Sequence, residues 1–325
     1  MIETVNQDIS IQEMSAAIKK KALELGFAGC GFSKAEALPE DAQRLKVWLD
    51  KGYHSRMSYM ANHRKKRSDP SLLVEGSKTV ISLLYNYYTD RKQRDPKAPI
   101  LSKYAYGRDY HFVMKDKMQL LFEFIKSLHP ETEGRIFVDS APVLDRAWAK
   151  RAGLGWIGKS SMLISRSFGS FVFIGELILN VELEYNAIPE SDFCGSCTSC
   201  IEACPTGAIL DNRTIDSERC ISYQTIENKG EVSSEIEGKL SGRVFGCDIC
   251  QDVCPWNRKA LNHLEFGFNP SPELLEMSRE DWQNLDREKF KLLFNQSPVQ
   301  RAGYNKIKGN LNSLKKNSES KADIL

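Results

Sequence analysis

Two runs of cysteines constrain the structure of this chain more than any other feature of its sequence. The first run consists of Cys194, Cys197, Cys200 and Cys204, and Pro205 follows it. The second consists of Cys247, Cys250 and Cys254 before Pro255, with Val244 where a further cysteine would stand. Cys220 lies alone between the runs and can supply the missing thiol. Cysteines two or three residues apart are typical of metal-binding loops, so this stretch is expected to fold around metal.

The spacing C-x2-C-x2-C-x3-C-P is typical of proteins with two four-iron clusters, in which the last cysteine of a run ligates the other cluster. This crossing assigns one [4Fe–4S] cluster to Cys194, Cys197, Cys200 and Cys254. It assigns the second to Cys204, Cys220, Cys247 and Cys250. Zinc is the alternative, since four-cysteine zinc sites also use C-x2-C pairs. Two zinc ribbons would need four such pairs, so the spacing favours iron–sulfur clusters.

Length and composition place these clusters in a larger protein. A chain of 325 residues with 41% hydrophobic residues can form two domains, or one domain with an insert, around a sizeable core. It has no run of 18 apolar residues, and its first residues are acidic and polar, unlike a signal peptide. Because eight cysteines have metal-binding spacing and no export signal is seen, we expect the protein to reside in the reducing cytoplasm. Cys30, the ninth cysteine, lies in an apolar stretch and is expected to be a buried strand residue.

The net charge of +2 is unevenly distributed. Between Lys51 and Arg67 there are six Lys or Arg residues and no acid. A second basic stretch with no acid, between Val299 and Ser318, holds Arg301, Lys306, Lys308, Lys315 and Lys316. Such stretches can contact a phosphate backbone, but charge alone favours an ordinary solvated surface.

The apolar periodicity predicts helices and strands in irregular alternation before residue 190, which indicates an α+β fold. The predicted helices are 11–25, 39–49, 114–128 and 143–152. The predicted strands are 27–32, 79–87, 135–138 and a pair formed by 162–165 and 171–180. After the cysteine runs, 273–293 and the basic tail are predicted to be helical. These elements suggest an α+β sheet domain over 1–185, a ferredoxin-like two-cluster domain over 186–265 and a short helical tail over 266–325.

Two further motifs are incomplete. The segment from Gly153 to Ser160 matches two phosphate-binding patterns, but both need a strand before and a helix after them. Here a helix is predicted before and a strand after, so neither ATP nor NAD is expected. The sequence from Asp109 to His111 begins the cobalt-binding pattern D-x-H-x-x-G, but Met114 replaces its glycine. His111 is therefore interpreted as a turn or cofactor-edge residue, or as purely structural.

Asp139 is the candidate proton donor. It follows the apolar strand 135–138 and precedes a small-residue turn into the 143–152 helix. Burial at the end of a strand would raise its pKa and let it act as a general acid. The alternative is a structural aspartate that caps this helix or lies in the turn before it.

These motifs together resemble the epoxyqueuosine reductase family of queuosine synthesis in tRNA. The matching segments are 106–111, 138–146, 152–159, 220–227, both cysteine runs as far as Asn257, and 297–301. They span almost the whole chain. Two departures are notable. Many members continue with a helical-repeat extension after this tail, and some carry a cysteine facing the cobalt near the position of Ser102.

The resemblance implies a corrinoid-binding sheet domain related to flavin reductases and nitroreductases, with base-off cobalamin held between it and the clusters. It implies that Asp139 is the proton donor. The candidate cobalamin-lining residues are Ser102, Asp139, Trp156, Lys159, Ser222, Tyr223 and Asp248. The candidate tRNA contacts are Arg64, Lys65, Arg146, Arg301, Lys306 and Lys308, since an anticodon stem-loop presents phosphates and splayed bases.

The implied reaction converts the epoxide of epoxyqueuosine, at the wobble position of the anticodon, into the alkene of queuosine with loss of water. It requires two electrons and two protons. An external donor such as a ferredoxin or flavodoxin would supply electrons through both clusters to cobalt. We expect a monomer without membrane contact. The alternatives are a reductive dehalogenase, which is usually longer and exported, and an iron–sulfur electron carrier or RNA-binding protein without cobalamin.

Overall fold

The protein is described by a computed structural model that gives residues 9–187 and 192–322, with side chains as far as Lys315. The helices are α1 (Ile11–Glu24), α2 (Pro39–Asp50), α3 (Arg64–Ser68), α4 (Tyr110–Leu128), α5 (Asp145–Arg151), α6 (Ser199–Glu202), α7 (Ile221–Ile226), α8 (Ser234–Glu237), α9 (Ile249–Asp252), α10 (Pro272–Glu276), α11 (Arg279–Gln283), α12 (Arg287–Leu293), α13 (Val299–Ala302) and α14 (Tyr304–Ala322). The strands are β1 (Gly29–Lys34), β2 (Thr79–Asn86), β3 (Ile100–Leu101), β4 (Gly134–Phe137), β5 (Trp156–Ile157), β6 (Leu163–Ile164), β7 (Val172–Leu179), β8 (Ile209–Leu210), β9 (Thr214–Ile215) and β10 (Arg243–Phe245). Within these residues, no helix combines the length and apolar character that a membrane span requires.

A four-stranded antiparallel sheet organises the first half of the chain, with the strand order β1-β2-β7-β4. The central strands β2 and β7 pair from Thr79 opposite Leu179 to Asn86 opposite Val172. Helices α1 and α4 cover one face, and α5 packs on the strands from the other. Because both faces are covered, the central strands are apolar almost throughout and show no alternation. The edge strand β4 ends immediately before the loop that carries Asp139.

Most elements predicted from the periodicity are confirmed, with ends shifted by a few residues. Cys30 lies in β1, as predicted, and is partly buried. The predicted pairing of 162–165 with 171–180 is wrong. Strand β6 instead pairs with β5, and β7 takes a central position between β2 and β4. A single bridge between Ser165 and Gly169 is what remains of the predicted hairpin. The apolar residues on both faces of β7 favour burial in the sheet over a local hairpin.

The C-terminal part differs from the prediction in one respect. The single helix predicted over 273–293 is wrong, because it is divided into α10, α11 and α12. New N-caps explain the breaks: Ser278 forms a capping box with Asp281, and the Asp286 carboxylate accepts from the Lys289 N–H. The tail is helical, as predicted, and packs against the rest of the chain. It forms a second hydrophobic core with an earlier segment and with β10, comprising Ala98, Leu101, Ala105, Tyr106, Val244, Phe245, Leu274, Met277, Trp282, Leu285, Phe290, Phe294, Val299, Ile307 and Leu311.

Candidate cluster-binding and proton-donor site

The cysteines assigned to the first cluster are brought together in the structure. A cavity of about 180 Å³ is lined by Cys194, Cys197, Cys200 and Cys254, together with Phe193 and Trp256. The short helix α6 follows the loop that carries Cys194 and Cys197, and α9 delivers Cys254 from the second run. Cys254, the last cysteine of the second run, therefore lies next to the first three cysteines of the first run, as the crossed ligand assignment requires.

The other four cysteines form a second, more buried group. Burial raises the pKa of the Cys220, Cys247 and Cys250 thiols, and neighbouring thiolates of the same group raise it further. The negative charge of the Cys204 thiolate, for example, raises the pKa of Cys220. The Cys200 thiolate of the first group also raises the pKa of Cys250, so the two groups are neighbours. No three His, Cys, Asp or Glu side chains in the described ranges converge on a single metal ion. The ligands of a four-iron cluster each bind a different iron atom.

Hydrogen bonds surround the cysteine sulfurs. The backbone N–H of Ala208 donates to the Cys204 Sγ at 3.3 Å, and the hydroxyl of Thr206 lies 3.5 Å from it. The Ser199 hydroxyl lies 3.4 Å from the Cys197 Sγ. Hydrogen bonds to the sulfurs and solvent exposure are among the factors that set the reduction potential of such clusters. The two groups differ in both respects.

Trp156 and Lys159 lie beside the first cysteine group. The Lys159 Nζ donates to the backbone carbonyls of Gly195 and Cys197 at 2.8 and 2.9 Å. The Trp156 ring packs edge-on against Phe193 and Trp256, at 5.0 and 4.9 Å between ring centres. The resemblance had assigned both residues to the cobalamin lining. The observed contacts of Trp156 and Lys159 instead stabilise the loop that carries Cys194 and Cys197.

The glycine-rich turn between α5 and β5 has a packing role. A Cβ at Gly155 would lie 2.2 Å from the Ile164 carbonyl oxygen, so only glycine allows β5 and β6 to approach each other here. The helix-before-strand order that argued against nucleotide binding is confirmed.

Asp248 and Ser102 are buried near the second cysteine group. Asp248 precedes α9, and its carboxylate accepts the backbone N–H of Lys103 at 2.8 Å. The Lys103 Nζ lies 3.8 Å from the same carboxylate and 2.6 Å from that of Asp252. Burial raises the pKa of Asp248, and the positive charge of Lys103 opposes that shift. The buried Tyr223 belongs to α7 with Ser222, and its hydroxyl accepts from the Ser55 hydroxyl at 2.8 Å.

Asp139 lies on an exposed loop directly after β4. Its φ of 50° is unusual for a residue other than glycine and turns the chain away from the sheet. Its side chain is 62% exposed, so the expected burial at the strand end is wrong. The helix-cap alternative is also wrong, because α5 begins at Asp145 after Leu144. The Tyr110 hydroxyl donates to the Asp139 Oδ2 at 2.6 Å, and the Tyr110 ring stacks on Phe173 at 4.1 Å.

His111 lies against the same carboxylate at the N-terminus of α4. Its Nε2 is 3.8 Å from the Asp139 Oδ2, and its Nδ1 is 2.6 Å from the Asp109 Oδ1. The Arg301 Nη1 lies 3.1 Å from the Nε2. Burial alone would raise the pKa of Asp109, but its hydrogen bonds with His111 outweigh burial and lower it. The sequence motif singled out His111, but it predicted neither the hydrogen bond of Tyr110 to Asp139 nor the contacts of Asp109 and Arg301 with the His111 ring. The Asp-Tyr-His order was the available signal, since an N-cap carboxylate can reach a side chain two residues later.

A buried pair of carboxyl groups lies between α5 and the sheet. Glu176 of β7 is fully buried, and the carboxyl group of Asp145 lies close enough to affect its ionisation. Burial raises the pKa of Glu176 well above its usual range and that of Asp145 to about 6. The pair therefore holds a proton near neutral pH. No sequence motif predicted this pair.

The candidate tRNA contacts differ in exposure. Arg64, Lys65 and Lys66 are exposed on α3, whereas Arg67 is buried and donates to the Tyr59 carbonyl at 2.9 Å. Arg146 is exposed, and it donates to the Ser161 carbonyl. The Nζ atoms of two tail lysines contact backbone carbonyls: Lys306 that of Gly230 at 3.0 Å, and Lys308 that of Gln283 at 2.7 Å.

Comparison with known proteins gives two family matches. Residues 67–140 match the family described as Epoxyqueuosine reductase QueG, DUF1730. Residues 193–257 match the 4Fe-4S double cluster binding domain, which decides against zinc for the cysteine runs.

Full-length relatives and solved structures agree with these matches. An epoxyqueuosine reductase from Cellulophaga algicola is 50% identical over 304 residues, covering 94% of this chain and 99% of that protein. A crystal structure of epoxyqueuosine reductase with a tRNA stem loop modified with epoxyqueuosine has a TM-score of 0.88 and 30% identity, covering 95% of this chain and 82% of that one. The Bacillus subtilis epoxyqueuosine reductase, with its catalytic aspartate loop swung out of the active site, has a TM-score of 0.88 and 29% identity, covering 96% and 84%. On this identity and coverage, the chain belongs to the epoxyqueuosine reductase family.

Proposed function

We propose that this protein reduces the epoxide of epoxyqueuosine in tRNA anticodon loops to the alkene of queuosine, the last step of queuosine synthesis. The observation that carries the proposal is the exposed carboxyl group of Asp139, which accepts a hydrogen bond from Tyr110 and lies 3.8 Å from His111. The same chain gathers eight cysteines into two groups. The family membership and the modified tRNA stem loop in a related structure support the substrate.

The two cysteine groups are proposed to hold the two [4Fe–4S] clusters in the crossed arrangement. The first cluster takes Cys194, Cys197, Cys200 and Cys254, which share one cavity. The second takes Cys204, Cys220, Cys247 and Cys250. We assign the second cluster as the inner one, because Asp248 and Lys103 connect it to the segment that carries Tyr104. The Tyr104 hydroxyl, buried among aromatic rings, is within the electrostatic influence of both Asp248 and Asp139.

Cobalamin is the proposed cofactor, and the sheet domain would then be a corrinoid-binding relative of flavin reductases and nitroreductases. The residues around Asp139 fit a flat macrocycle. Tyr110 and Phe173 stack in parallel, and Tyr104 packs edge-on against both at 6.3 and 6.4 Å, which gives an aromatic wall beside the exposed carboxyl group. Ser102, Asp248, Ser222 and Tyr223 would hold its polar edge, with Trp156 and Lys159 in a supporting position. When bound, cobalamin supplies a low-potential cobalt centre beside the substrate.

Asp139 is proposed to protonate the epoxide oxygen as the C–O bond breaks, because an unprotonated alkoxide is a poor leaving group. Burial and the Asp139 charge raise the pKa of Tyr110 well above its usual range, so the phenol remains a hydrogen-bond donor. That hydrogen bond holds the Asp139 Oδ2 and leaves the Oδ1 for the substrate.

We further propose that the protein is a cytoplasmic monomer that receives electrons from a ferredoxin or flavodoxin. For tRNA, the exposed side chains of Arg64, Lys65 and Lys66 on α3 are the favoured contacts. The second set is Arg146, Arg301, Lys306 and Lys308, because each already contacts another part of the chain.

Replacing Arg64, Lys65 and Lys66 with alanine is expected to weaken tRNA binding. Binding through fewer phosphate contacts releases fewer counterions. The slope of log K against log salt should therefore flatten by roughly 2. Binding isotherms at several salt concentrations measure this change. Arg67 is left intact because it is buried. A triple variant of Lys19, Lys20 and Lys126 is the charge-matched control, and equal affinity of both variants would make α3 an ordinary solvated surface.

The proposed function is tested by anaerobic single turnover of tRNA carrying epoxyqueuosine, with reconstituted protein and a chemical reductant. Nucleoside analysis should show conversion to queuosine, and acid extraction of the protein should release corrinoid. Corrinoid without conversion would favour another corrinoid reductase. Clusters without corrinoid or conversion would favour an electron carrier.

A further inference from the structure

The proposed reaction needs two protons, and Asp139 is the one proton donor proposed for it. An epoxide, two electrons and two protons give an alkene and one water molecule. Both protons therefore end on the same oxygen atom, the first as one C–O bond breaks and the second as the other breaks. A single carboxyl group carries one proton, so Asp139 must be reprotonated within the turnover.

The structure places a histidine at the carboxylate that has to be reloaded. The Asp139 Oδ2 lies between the Tyr110 hydroxyl, at 2.6 Å, and the His111 Nε2, at 3.8 Å. The second distance exceeds a hydrogen bond, and a small rotation of the exposed Asp139 side chain closes it. Tyr110 is a poor source of the proton, since the neighbouring Asp139 charge and burial both oppose its ionisation.

Asp109 and Arg301 prepare the His111 ring for proton transfer. The Asp109 carboxylate, 2.6 Å from the Nδ1, keeps a proton on that nitrogen and leaves the lone pair on the Nε2. The Arg301 Nη1 lies 3.1 Å from the Nε2 and 3.3 Å from the Nδ1, so the guanidinium faces both ring nitrogens. The His111 and Asp109 side chains are only 9% and 6% exposed, and the His111 ring packs against Tyr110 at 4.2 Å between centres. These are the charged and titratable groups that contact or approach the ring: Asp109 and Tyr110 from its own segment, Asp139 from the loop after β4, and Arg301 from α13.

We propose that His111 delivers the second proton to Asp139. A proton from solvent, entering beside the exposed Arg301, binds the Nε2 and passes to the Asp139 carboxylate after the first C–O bond has broken. Rotation of the exposed carboxyl group then turns the protonated oxygen toward the substrate. This inference rests on the proposed function. His111 acts through Asp139 and is a positioning and relay residue, and Asp109 sets its tautomer.

The test is single turnover by His111→Asn. The asparagine amide occupies the place of the Nδ1 and keeps the hydrogen bond to Asp109, but nothing replaces the Nε2. The rate should fall about 10²-fold, within the range for a lost acid–base group. Iron content and tRNA affinity should not change. Imidazole added to the buffer should restore part of the rate to this variant and none to Asp139→Asn. His129→Asn, at the other end of α4, is the matched control and should react like the parent.

A rate within two-fold of the parent, with an unchanged pH profile, would overturn the relay, and so would a loss that imidazole does not restore. If His111→Asn fails to fold, Asp109→Asn replaces it. Asparagine can still cap α4 but removes the charge that sets the tautomer, so the same slowing is expected, and an unchanged rate overturns the proposal. Failure of the proposed function is distinct, because the parent itself would then not convert epoxyqueuosine.

Discussion

Asp139→Asn is expected to retain both clusters, corrinoid and tRNA binding and to lose nearly all reductase activity. Asparagine keeps the size of the side chain and can still accept the Tyr110 hydrogen bond, but it cannot deliver a proton. A general acid contributes about 10²–10⁴-fold in rate, and both C–O cleavages depend on this one, so the loss should reach or exceed that range. Anaerobic single-turnover assays with nucleoside analysis measure it.

Asp50→Asn is the matched control for this substitution. Asp50 is an exposed aspartate paired with Lys46 on α2, and its replacement should leave the rate unchanged. If Asp139→Asn reacts within a few-fold of the parent, proton donation belongs to another group. A bound water is then the next candidate, since Tyr106 is buried in the second hydrophobic core.

Cys254→Ser is expected to destroy the cluster held by Cys194, Cys197 and Cys200 and to spare the other. Iron content should fall from about eight to about four atoms per chain, and reduction by an external donor should stop. The physical reason is the shared cavity, in which Cys254 reaches across from the second cysteine run. Iron analysis and electron paramagnetic resonance of the anaerobic variant measure the result.

Cys30→Ala is the control for Cys254→Ser, since Cys30 lies in β1 and belongs to neither cysteine group. It should keep all the iron. Loss confined to the cluster of Cys247 and Cys250 in Cys254→Ser would contradict the crossed assignment.

The parts of the site that could be predicted from sequence are those encoded within short stretches. The cysteine spacing identified both groups because each run contributes three or four ligands to loops of known geometry. The helices with clear apolar periodicity were predicted for the same reason, since the pattern reflects a single buried face.

The surroundings of Asp139 could not be predicted in this way. Tyr110 and His111 come from a segment about 29 positions earlier, and Arg301, which contacts His111, comes 190 positions after His111. No local pattern brings these segments together. The exposure of the Asp139 side chain could not be predicted either. After an edge strand, the chain can turn toward the core or toward solvent, and the left-handed backbone at Asp139 directs it toward solvent. The prediction for the pairing of β7 was wrong for a similar reason. The burial of both faces of this strand depends on helices elsewhere in the chain.

The second hydrophobic core has a consequence for biosynthesis. Ala105 and Tyr106 pack against C-terminal helices, the Asp109 N–H donates to the Gln296 carbonyl, and Arg301 reaches His111 from 190 positions later. Chains emerge from the ribosome N-terminus first, and contacts of long sequence separation form late. The sheet can therefore assemble early, while the segment that precedes α4 waits for its partners. The proton-donor site is completed only near the end of synthesis, so a nascent chain stalled before α13 would carry its sheet without a finished site.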